Sequence, residues 1–170
     1  MVVTVSRFIA LAAVAALAGC SPQDTASTGT PTPQTPAGQT QPSRHPESGL
    51  EVIPLTITQG GKVHRFMVEV ARSEQEQAKG LMFRKQMGAD EGMIFPRRTP
   101  DFASFWMRNT VIPLDMIFIG TDGKILNIAA NTVPYSLDPQ SSDGIASAVL
   151  ELNGGRAAEL GIEPGAKVEW

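Results

Sequence analysis

The chain has 170 residues and a formal net charge of −3, from 17 acidic and 14 basic residues. This slight acidity argues against nucleic-acid binding, which depends on neutralising phosphates with basic side chains, so we expect no nucleic-acid partner. The single cysteine excludes a framework of intramolecular disulfides.

The first 19 residues have the pattern of an export signal. Arg7 precedes an apolar run from Phe8 to Leu17, and small residues lead to Cys20. The run is too short to span a bilayer core of about 30 Å. The sequence Leu17-Ala18-Gly19-Cys20 resembles the lipobox of bacterial lipoproteins, and this resemblance implies a lipoprotein signal peptide over residues 1–19 and lipidation of Cys20. The alternative is a plain secretory signal in which the cysteine is incidental.

Residues 20–49 comprise Cys20 and a segment rich in Pro, Thr, Gln and Ser that lacks hydrophobic periodicity. Such a segment buries too little apolar surface to offset its ordering entropy, so we expect a disordered tether. A flexible coil of about 29 residues spans roughly 30 Å. Ser21 is not aspartate, and resemblance to Gram-negative lipoprotein sorting then favours the outer membrane. The expected location is extracytoplasmic, facing the periplasm, with the lipid as the contact to the membrane.

Residues 50–170 suffice for a single β-rich domain. Paired turn residues at Gly60-Gly61 and Asp122-Gly123 predict two hairpins. Ser73 and Glu76 form a capping box that predicts a short helix ending at Gly80. A second short helix is predicted over Gly155–Leu160. The predicted strands are Val52–Thr58, Val63–Val70, Met93–Phe95, Phe102–Met107, Leu114–Ile119, Lys124–Ala129, Ala146–Leu152 and Lys167–Trp170. This pattern favours a mainly β, α+β domain with a compact, mostly antiparallel, barrel-like sheet.

Four separated blocks of this domain resemble domain-of-unknown-function family 192, also called uncharacterised protein family 0127. The blocks are Glu76-Gln77 with Gly80-Leu81-Met82 and Arg84, then Gly92–Phe95, then Phe105–Phe118, and finally Val149–Leu152. The resemblance implies a small, β-rich, barrel-like domain and carries no activity with it. Gly154 departs from the family pattern, in which alanine is expected before the glycine.

The block Phe105–Phe118 also contains the candidate ligand-binding residues. Polar residues interrupt its apolar runs, and alternation places Asp115 on the opposite strand face from Leu114 and Met116, between bulky neighbours. One hypothesis is structural, with Asp115 accepting hydrogen bonds from turn amides near Asn109 and Thr110, or from Arg84 or Arg108. The other is a pocket floored by tryptophan with a polar wall. The candidate ligand-binding residues are Trp106, Arg108, Asn109, Thr110, Asp115 and Arg84.

No motif of a known catalytic template is present, and we expect neither a cofactor nor a metal. Asp115 and Glu151 could form a pair of acids, although the simpler hypothesis is that Glu151 pairs with Arg156 or with a turn amide. The methionines lack the tight spacing of a copper site and are expected to fill gaps in the core.

Basic residues outnumber acidic ones from Lys79 to Arg108, by six to three. This sector could meet an anionic ligand or partner. The leading hypothesis is therefore a lipid-anchored binding or accessory module for a small polar or anionic ligand or a cell-envelope protein. The alternative is a hydrolase-like enzyme that uses Asp115 with Arg108 and Asn109, and a third hypothesis is a structural lipoprotein without a pocket.

Overall fold

The computed structural model describes residues 43–170. The predicted signal peptide, Cys20 and the tether up to residue 42 lie outside the described residues. No helix within residues 43–170 is long and apolar enough to cross a membrane.

The domain is a mostly β, α+β structure built on one curled, seven-stranded half-barrel sheet with two short helices, as predicted. The strand order is β5-β4-β6-β3-β2-β1-β7. All neighbours in the sheet pair antiparallel except β2 and β3, which are parallel. The elements are β1 (Val52–Gln59), β2 (Lys62–Val70), α1 (Glu74–Lys79), β3 (Glu91–Phe105), β4 (Leu114–Gly120), β5 (Ile125–Thr132), β6 (Gln140–Asn153), α2 (Arg156–Leu160) and β7 (Lys167–Glu169).

Both predicted hairpins are confirmed. The β1–β2 hairpin turns at Gly60 and Gly61, which have φ values of 54° and 82°, and the β4–β5 hairpin turns near Gly123, with φ 74°. Positive φ angles cost glycine little, and for this reason these local sequences predicted their turns correctly.

The capping box at the start of α1 is also confirmed. Ser73 Oγ accepts a hydrogen bond from Glu76 N at 3.2 Å, and Glu76 Oε2 accepts one from Ser73 N at 2.8 Å. Helix α1 belongs to the crossover between the parallel strands β2 and β3, since parallel neighbours cannot be joined by a tight turn. The crossover therefore places α1 and the loop that follows it over one face of the sheet.

Strand β3 runs without interruption where the sequence predicted two separate strands, Met93–Phe95 and Phe102–Met107. Its pairing with β6 shifts register between Pro96 and Asp101 and again between Phe102 and Ser104. Such irregularities accommodate proline, which cannot donate to the ladder, without ending the strand. The long partner strand β6 thus holds β3 together across a sequence that resembles a loop.

Both faces of the sheet are buried, each against its own apolar cluster. On the face that α2 covers, the α2 face, Ile94, Ile117 and Leu150 lie in a cluster that includes Ala157 of the helix. On the opposite face, the α1 face, Met93 and Met116 belong to a second cluster. The predicted alternation along β4 is confirmed, because the odd and even positions separate between these clusters.

Residues 43–49, which the sequence placed in the tether, pack against the domain. Val52 N donates a hydrogen bond to Ser43 O at 2.7 Å, and Arg44 forms an isolated antiparallel bridge with Glu51. The sequence does not indicate these contacts. They are hydrogen bonds and ion pairs, whereas the prediction of a tether depended on the lack of apolar residues. Residues 43–49 therefore contact the domain that the sequence analysis starts at Leu50.

Candidate ligand-binding cleft

An open cleft of about 550 Å³ lies on the α1 face, between the end of α1 and the loop that follows β3. We call it the Trp106 cleft. Its volume is within the range of small-molecule sites. The residues that line it are Gln77, Ala78, Lys79, Gly80, Leu81, Met82, Phe95, Ser104, Phe105, Trp106, Arg108, Asn109, Thr110 and Glu151.

The end of α1 forms one wall of the cleft. Gln77 Nε2 anchors this helix to the sheet by donating to Ala71 O at 3.1 Å and to Pro96 O at 2.8 Å. Gly80 ends the helix with φ 45°, and a Cβ atom at this position would lie 3.3 Å from the ring of Phe95. The helix end therefore approaches the sheet closely, which leaves the exposed side chain of Lys79 at the rim.

The loop after β3 forms the other wall. The Trp106 ring is half exposed, and the Arg108 guanidinium lies 5.6 Å from its centroid, within the range of a cation–π contact. Thr110 is buried and donates its hydroxyl to Arg108 O at 3.3 Å. Asn109 Nδ2 contacts Met82 Sδ at 3.7 Å, which ties this wall to the end of the first wall.

Three non-glycine residues around the cleft have left-handed backbone angles. Phe83, Asn109 and Tyr135 have φ values of 65°, 55° and 64°. Backbone hydrogen bonds hold them together, because Phe83 N donates to Asn109 O at 2.8 Å and Tyr135 N donates to Thr110 O at 3.1 Å. Strained backbone of this kind clusters at functional sites.

Glu151 also lines the cleft and is only 5% exposed. On β6 it lies opposite Met93 of β3 and Met116 of β4. Burial raises the pKa of its carboxyl to about 8, so this group retains its proton at neutral pH. The hypothesis that Glu151 pairs with Arg156 is wrong, since that arginine binds Asp90 and Glu159 instead.

Asp115 is fully buried on the α2 face and does not line the cleft. Its Oδ1 accepts hydrogen bonds from Asn131 N at 2.7 Å and Gly155 N at 2.8 Å, and its Oδ2 accepts one from Ala157 N at 2.8 Å. It therefore binds backbone amides, but not those near Asn109 that the sequence suggested. An acid pair with Glu151 is excluded because the two side chains lie on opposite faces of the sheet.

Arg84 also lies away from the cleft. It is buried, and its guanidinium makes two contacts with the Glu69 carboxylate, at 2.8 Å and 3.1 Å. Glu47 lies 3.3 Å from its Nε atom, and His45 Nε2 lies 3.4 Å from its Nη1 atom. Of the six candidate ligand-binding residues, the structure thus brings four together: Trp106, Arg108, Asn109 and Thr110.

The departure at Gly154 has a local explanation. A Cβ atom there would lie 2.7 Å from Asn131 Oδ1 and 2.8 Å from Pro113 Cβ, closer than real Cβ contacts. Gly154 N donates to Pro113 O at 2.9 Å, so the chain passes close to the loop before β4. The absence of a side chain at this position permits that close approach.

The residues that line the cleft include one thioether, that of Met82, whereas Met93, Met107 and Met116 are buried in the core, as expected. Within residues 43–170, no group of three or more His, Cys, Asp or Glu side chains is placed to hold a metal ion.

Comparison with known proteins places this domain among uncharacterised relatives. Residues 55–170 match the family DUF192, described as "Uncharacterized ACR, COG1430". A crystal structure of a protein of unknown function from Novosphingobium aromaticivorans DSM 12444 is 57% identical with a TM-score of 0.75, covering 81% of this chain and 98% of that one. A putative transcription regulator from Sinorhizobium meliloti 1021 is 37% identical with a TM-score of 0.69, covering 71% and 94%. No curated protein matches this chain.

Proposed function

The chain belongs to the DUF192 family, and we propose from its own geometry that it is an extracytoplasmic, lipid-anchored module that binds a small polar or anionic ligand in the Trp106 cleft. The observation that carries this proposal is the convergence of an exposed indole, two cationic side chains and a buried carboxyl on one cavity of about 550 Å³. Binding sites combine an apolar lining with a few convergent polar groups in this way.

The charge of the cleft favours an anion over a cation. Lys79 and Arg108 are positively charged, and Glu151, the one acidic residue among those that line the cleft, is uncharged at neutral pH. A concave site lined by one sign of charge concentrates ligands of the opposite sign.

The backbone geometry of the loop after β3 supports a preorganised binding site. The left-handed angles of Phe83, Asn109 and Tyr135 cost roughly 1–3 kcal/mol each and persist where surrounding contacts enforce them. The backbone bonds from Phe83 and Tyr135 to residues 109 and 110 supply that enforcement. A hydrolase that used Asp115 would instead need its carboxylate in the cleft, and that carboxylate binds amides on the other face.

The test measures thermal stability of the full chain in the presence of small carboxylates, phosphates and sugars. The chain offers a matched control, because Trp106 and Trp170 are exposed to similar extents. At least one probe should raise the melting temperature of the wild type and of Trp170→Ala but not of Trp106→Ala. If no probe stabilises the wild type, or if Trp106→Ala responds equally, the cleft is not the binding site.

The location has its own test. Acylation requires the Cys20 thiol, so the wild type should carry diacylglycerol in mass spectra and fractionate with membranes, whereas Cys20→Ala should do neither. Ser21→Asp, which keeps the thiol, should remain acylated and move to the inner membrane of a Gram-negative host. Recovery of unacylated wild type from the cytosol would contradict the proposal.

A cell-envelope protein is a second candidate occupant of this surface. Phe83 and Tyr135, whose amides donate to Asn109 O and Thr110 O of the cleft wall, are more than 60% exposed, as are Val133 and Leu137 on either side of Tyr135 in the chain. Clustered exposed apolar side chains are typical of interaction surfaces. A photo-crosslinker at position 135 should capture one defined membrane-fraction protein, and a crosslinker at the exposed position 98 should not. Equal capture from both positions would contradict this candidate.

A further inference from the structure

Two buried glutamates occupy one cross-strand row on the α1 face. Register places Glu69 beside Met93, Met93 beside Glu151, and Glu151 beside Met116. Glu69 has a partner, because the Arg84 guanidinium binds both of its oxygens. Glu151 accepts and donates no side-chain hydrogen bond to any residue within 43–170, although it is 95% buried. The Glu151 carboxyl lines the Trp106 cleft and its oxygens are not fully enclosed, so a ligand in the cleft can reach this hydrogen-bonding group.

The groups that face Glu151 define what could bind it. Its neighbours on β3 and β4, Met93 and Met116, are uncharged. The charged side chains that share its cleft are Lys79, at the end of α1, and Arg108, in the loop after β3. An ammonium group in the cleft would be repelled by both of these cations. A carboxylate would be attracted by them, and a protonated carboxyl can donate a hydrogen bond to it.

We propose that the Trp106 cleft is specific for small carboxylates with an apolar body, and that Glu151, in its protonated form, donates a hydrogen bond to the carboxylate of the ligand. This inference rests on the proposed binding function. Hydrogen bonds from a neutral acid to a carboxylate are charge-assisted and short. The apolar body of the ligand would pack against Leu81, Phe105 and Trp106, while the two cations add a favourable potential. No covalent bond changes, and the proton stays in the hydrogen bond.

The proposed hydrogen bond determines how the affinity for a carboxylate changes with pH. Burial holds the pKa of Glu151 at about 8, so the free protein carries the donated proton at neutral pH and loses it in more alkaline solution. An ionised Glu151 repels a carboxylate. If only the protonated form binds, affinity should fall about tenfold between about pH 7 and about pH 9. An amine ligand would show the opposite trend, because it would bind the ionised form.

The experiment uses three probes of similar size that differ in charge: benzoate, benzamide and benzylamine. Binding is followed by Trp106 fluorescence in the full chain carrying Trp170→Phe, which leaves one tryptophan. Benzoate should bind most tightly and weaken above about pH 8. Glu151→Gln retains an N–H donor and cannot ionise, so it should bind benzoate at neutral pH as the wild type does and lose the pH dependence. Glu151→Leu, which has no donor, should lose at least tenfold in affinity.

The outcomes separate this inference from the proposed function. Preferential binding of benzylamine that tightens as the pH rises would overturn the carboxylate assignment and leave a binding cleft. Benzoate binding that is unchanged in Glu151→Leu would overturn the role of Glu151. Stabilisation by sugars or phosphates without any benzoate binding would overturn the ligand class alone. If no probe of either experiment binds, both proposals fail. Urea denaturation of both Glu151 variants verifies that they are folded.

Discussion

Glu69 and Glu151 share a face and a cross-strand row of the sheet, yet their surroundings differ completely. Segment 43–49 and Arg84 close over Glu69, where Ser48 donates to Oε2 and His45 Nδ1 lies 3.7 Å from the same oxygen. No such cover reaches Glu151, which borders the Trp106 cleft. One carboxylate is thus neutralised by an arginine and the other by a proton, which are two ways to avoid an isolated buried charge.

This difference separates a structural site from a binding site on the same face. The hydrogen-bonding capacity of Glu69 is used within the protein, so this glutamate stabilises the fold through its partners. The capacity of Glu151 is open to a ligand, and its burial lowers the stability of the protein once it ionises. Binding sites often carry such a cost in stability.

Removing Arg84, the partner of Glu69, should cause the largest loss of stability. Arg84→Ala leaves a carboxylate buried on the α1 face without its two guanidinium bonds. We expect the free energy of unfolding, measured in urea, to fall by about 3–5 kcal/mol. Adding Glu69→Gln to this variant should recover part of the loss, because the uncompensated charge disappears.

The control for this variant is Arg98→Ala, since Arg98 is exposed. It should change the free energy of unfolding by less than about 0.5 kcal/mol. A loss below about 1 kcal/mol for Arg84→Ala would mean that water or a proton already compensates Glu69, and the contrast with Glu151 would disappear.

Neutralising Glu151 should have the opposite effect. The pKa of this acid is about 8 in the folded protein, above its usual value of 4.5, so between these pH values the folded state binds more protons than the unfolded state. The free energy of unfolding of the wild type therefore falls as pH rises through this window and levels off above it. Relative to the wild type, Glu151→Gln should be equally stable near about pH 4 and more stable by about 4 kcal/mol near about pH 8.

Urea denaturation of the two proteins across this pH range measures the difference. Glu163→Gln is a suitable control because Glu163 is exposed. A constant difference between wild type and Glu151→Gln at all pH values would show that the Glu151 carboxyl is hydrated and that folding does not raise its pKa.

Asp115, on the other face of the sheet, provides a second buried acid to set beside Glu69 and Glu151. It resembles Glu69 in having its oxygens occupied, here by the amides of Asn131, Gly155 and Ala157. Asp115→Asn replaces one accepting oxygen with a donor that faces an N–H group, and we expect a loss of about 2 kcal/mol in urea denaturation. Asp143→Asn, at an exposed position of β6, should be nearly neutral. Retention of full stability in Asp115→Asn would revive a functional role for this acid.

Local signals account for the elements that the sequence predicted correctly. The glycine turns and the Ser73–Glu76 capping box depend on hydrogen bonds and backbone angles within a few residues, so their patterns are visible in the sequence. The continuity of β3 through Pro96 depends on β6, about 50 residues away, and no local pattern contains that partner.

The site was predicted in part for the same reason. Trp106, Arg108, Asn109 and Thr110 are neighbours in the chain, so one loop brings them to one cavity. Glu151 comes from a distant strand. The sequence did not show that it lacks an ionic partner, because it did not show that Arg156 binds Asp90 and Glu159 instead. The sequence offered one signal, a single glutamate in the apolar strand pattern Ala146–Leu152. The register shows that this glutamate lies between Met93 and Met116 on the α1 face.

The smallest expected effect concerns Ser48, whose hydroxyl donates to Glu69 Oε2 and accepts a bond from Leu50 N at 3.1 Å. Ser48→Ala takes one donor from Glu69 but leaves Arg84 in place, so the loss should be about 1 kcal/mol. Ser141→Ala, which removes an exposed hydroxyl bonded to Ser104, is the control and should be close to neutral. Amide exchange at Val52, which donates to Ser43 O, reports whether segment 43–49 stays docked. Faster exchange there together with a loss well above 1 kcal/mol would show that the segment detaches as a unit, leaving Glu69 partly uncovered and closer to the state of Glu151.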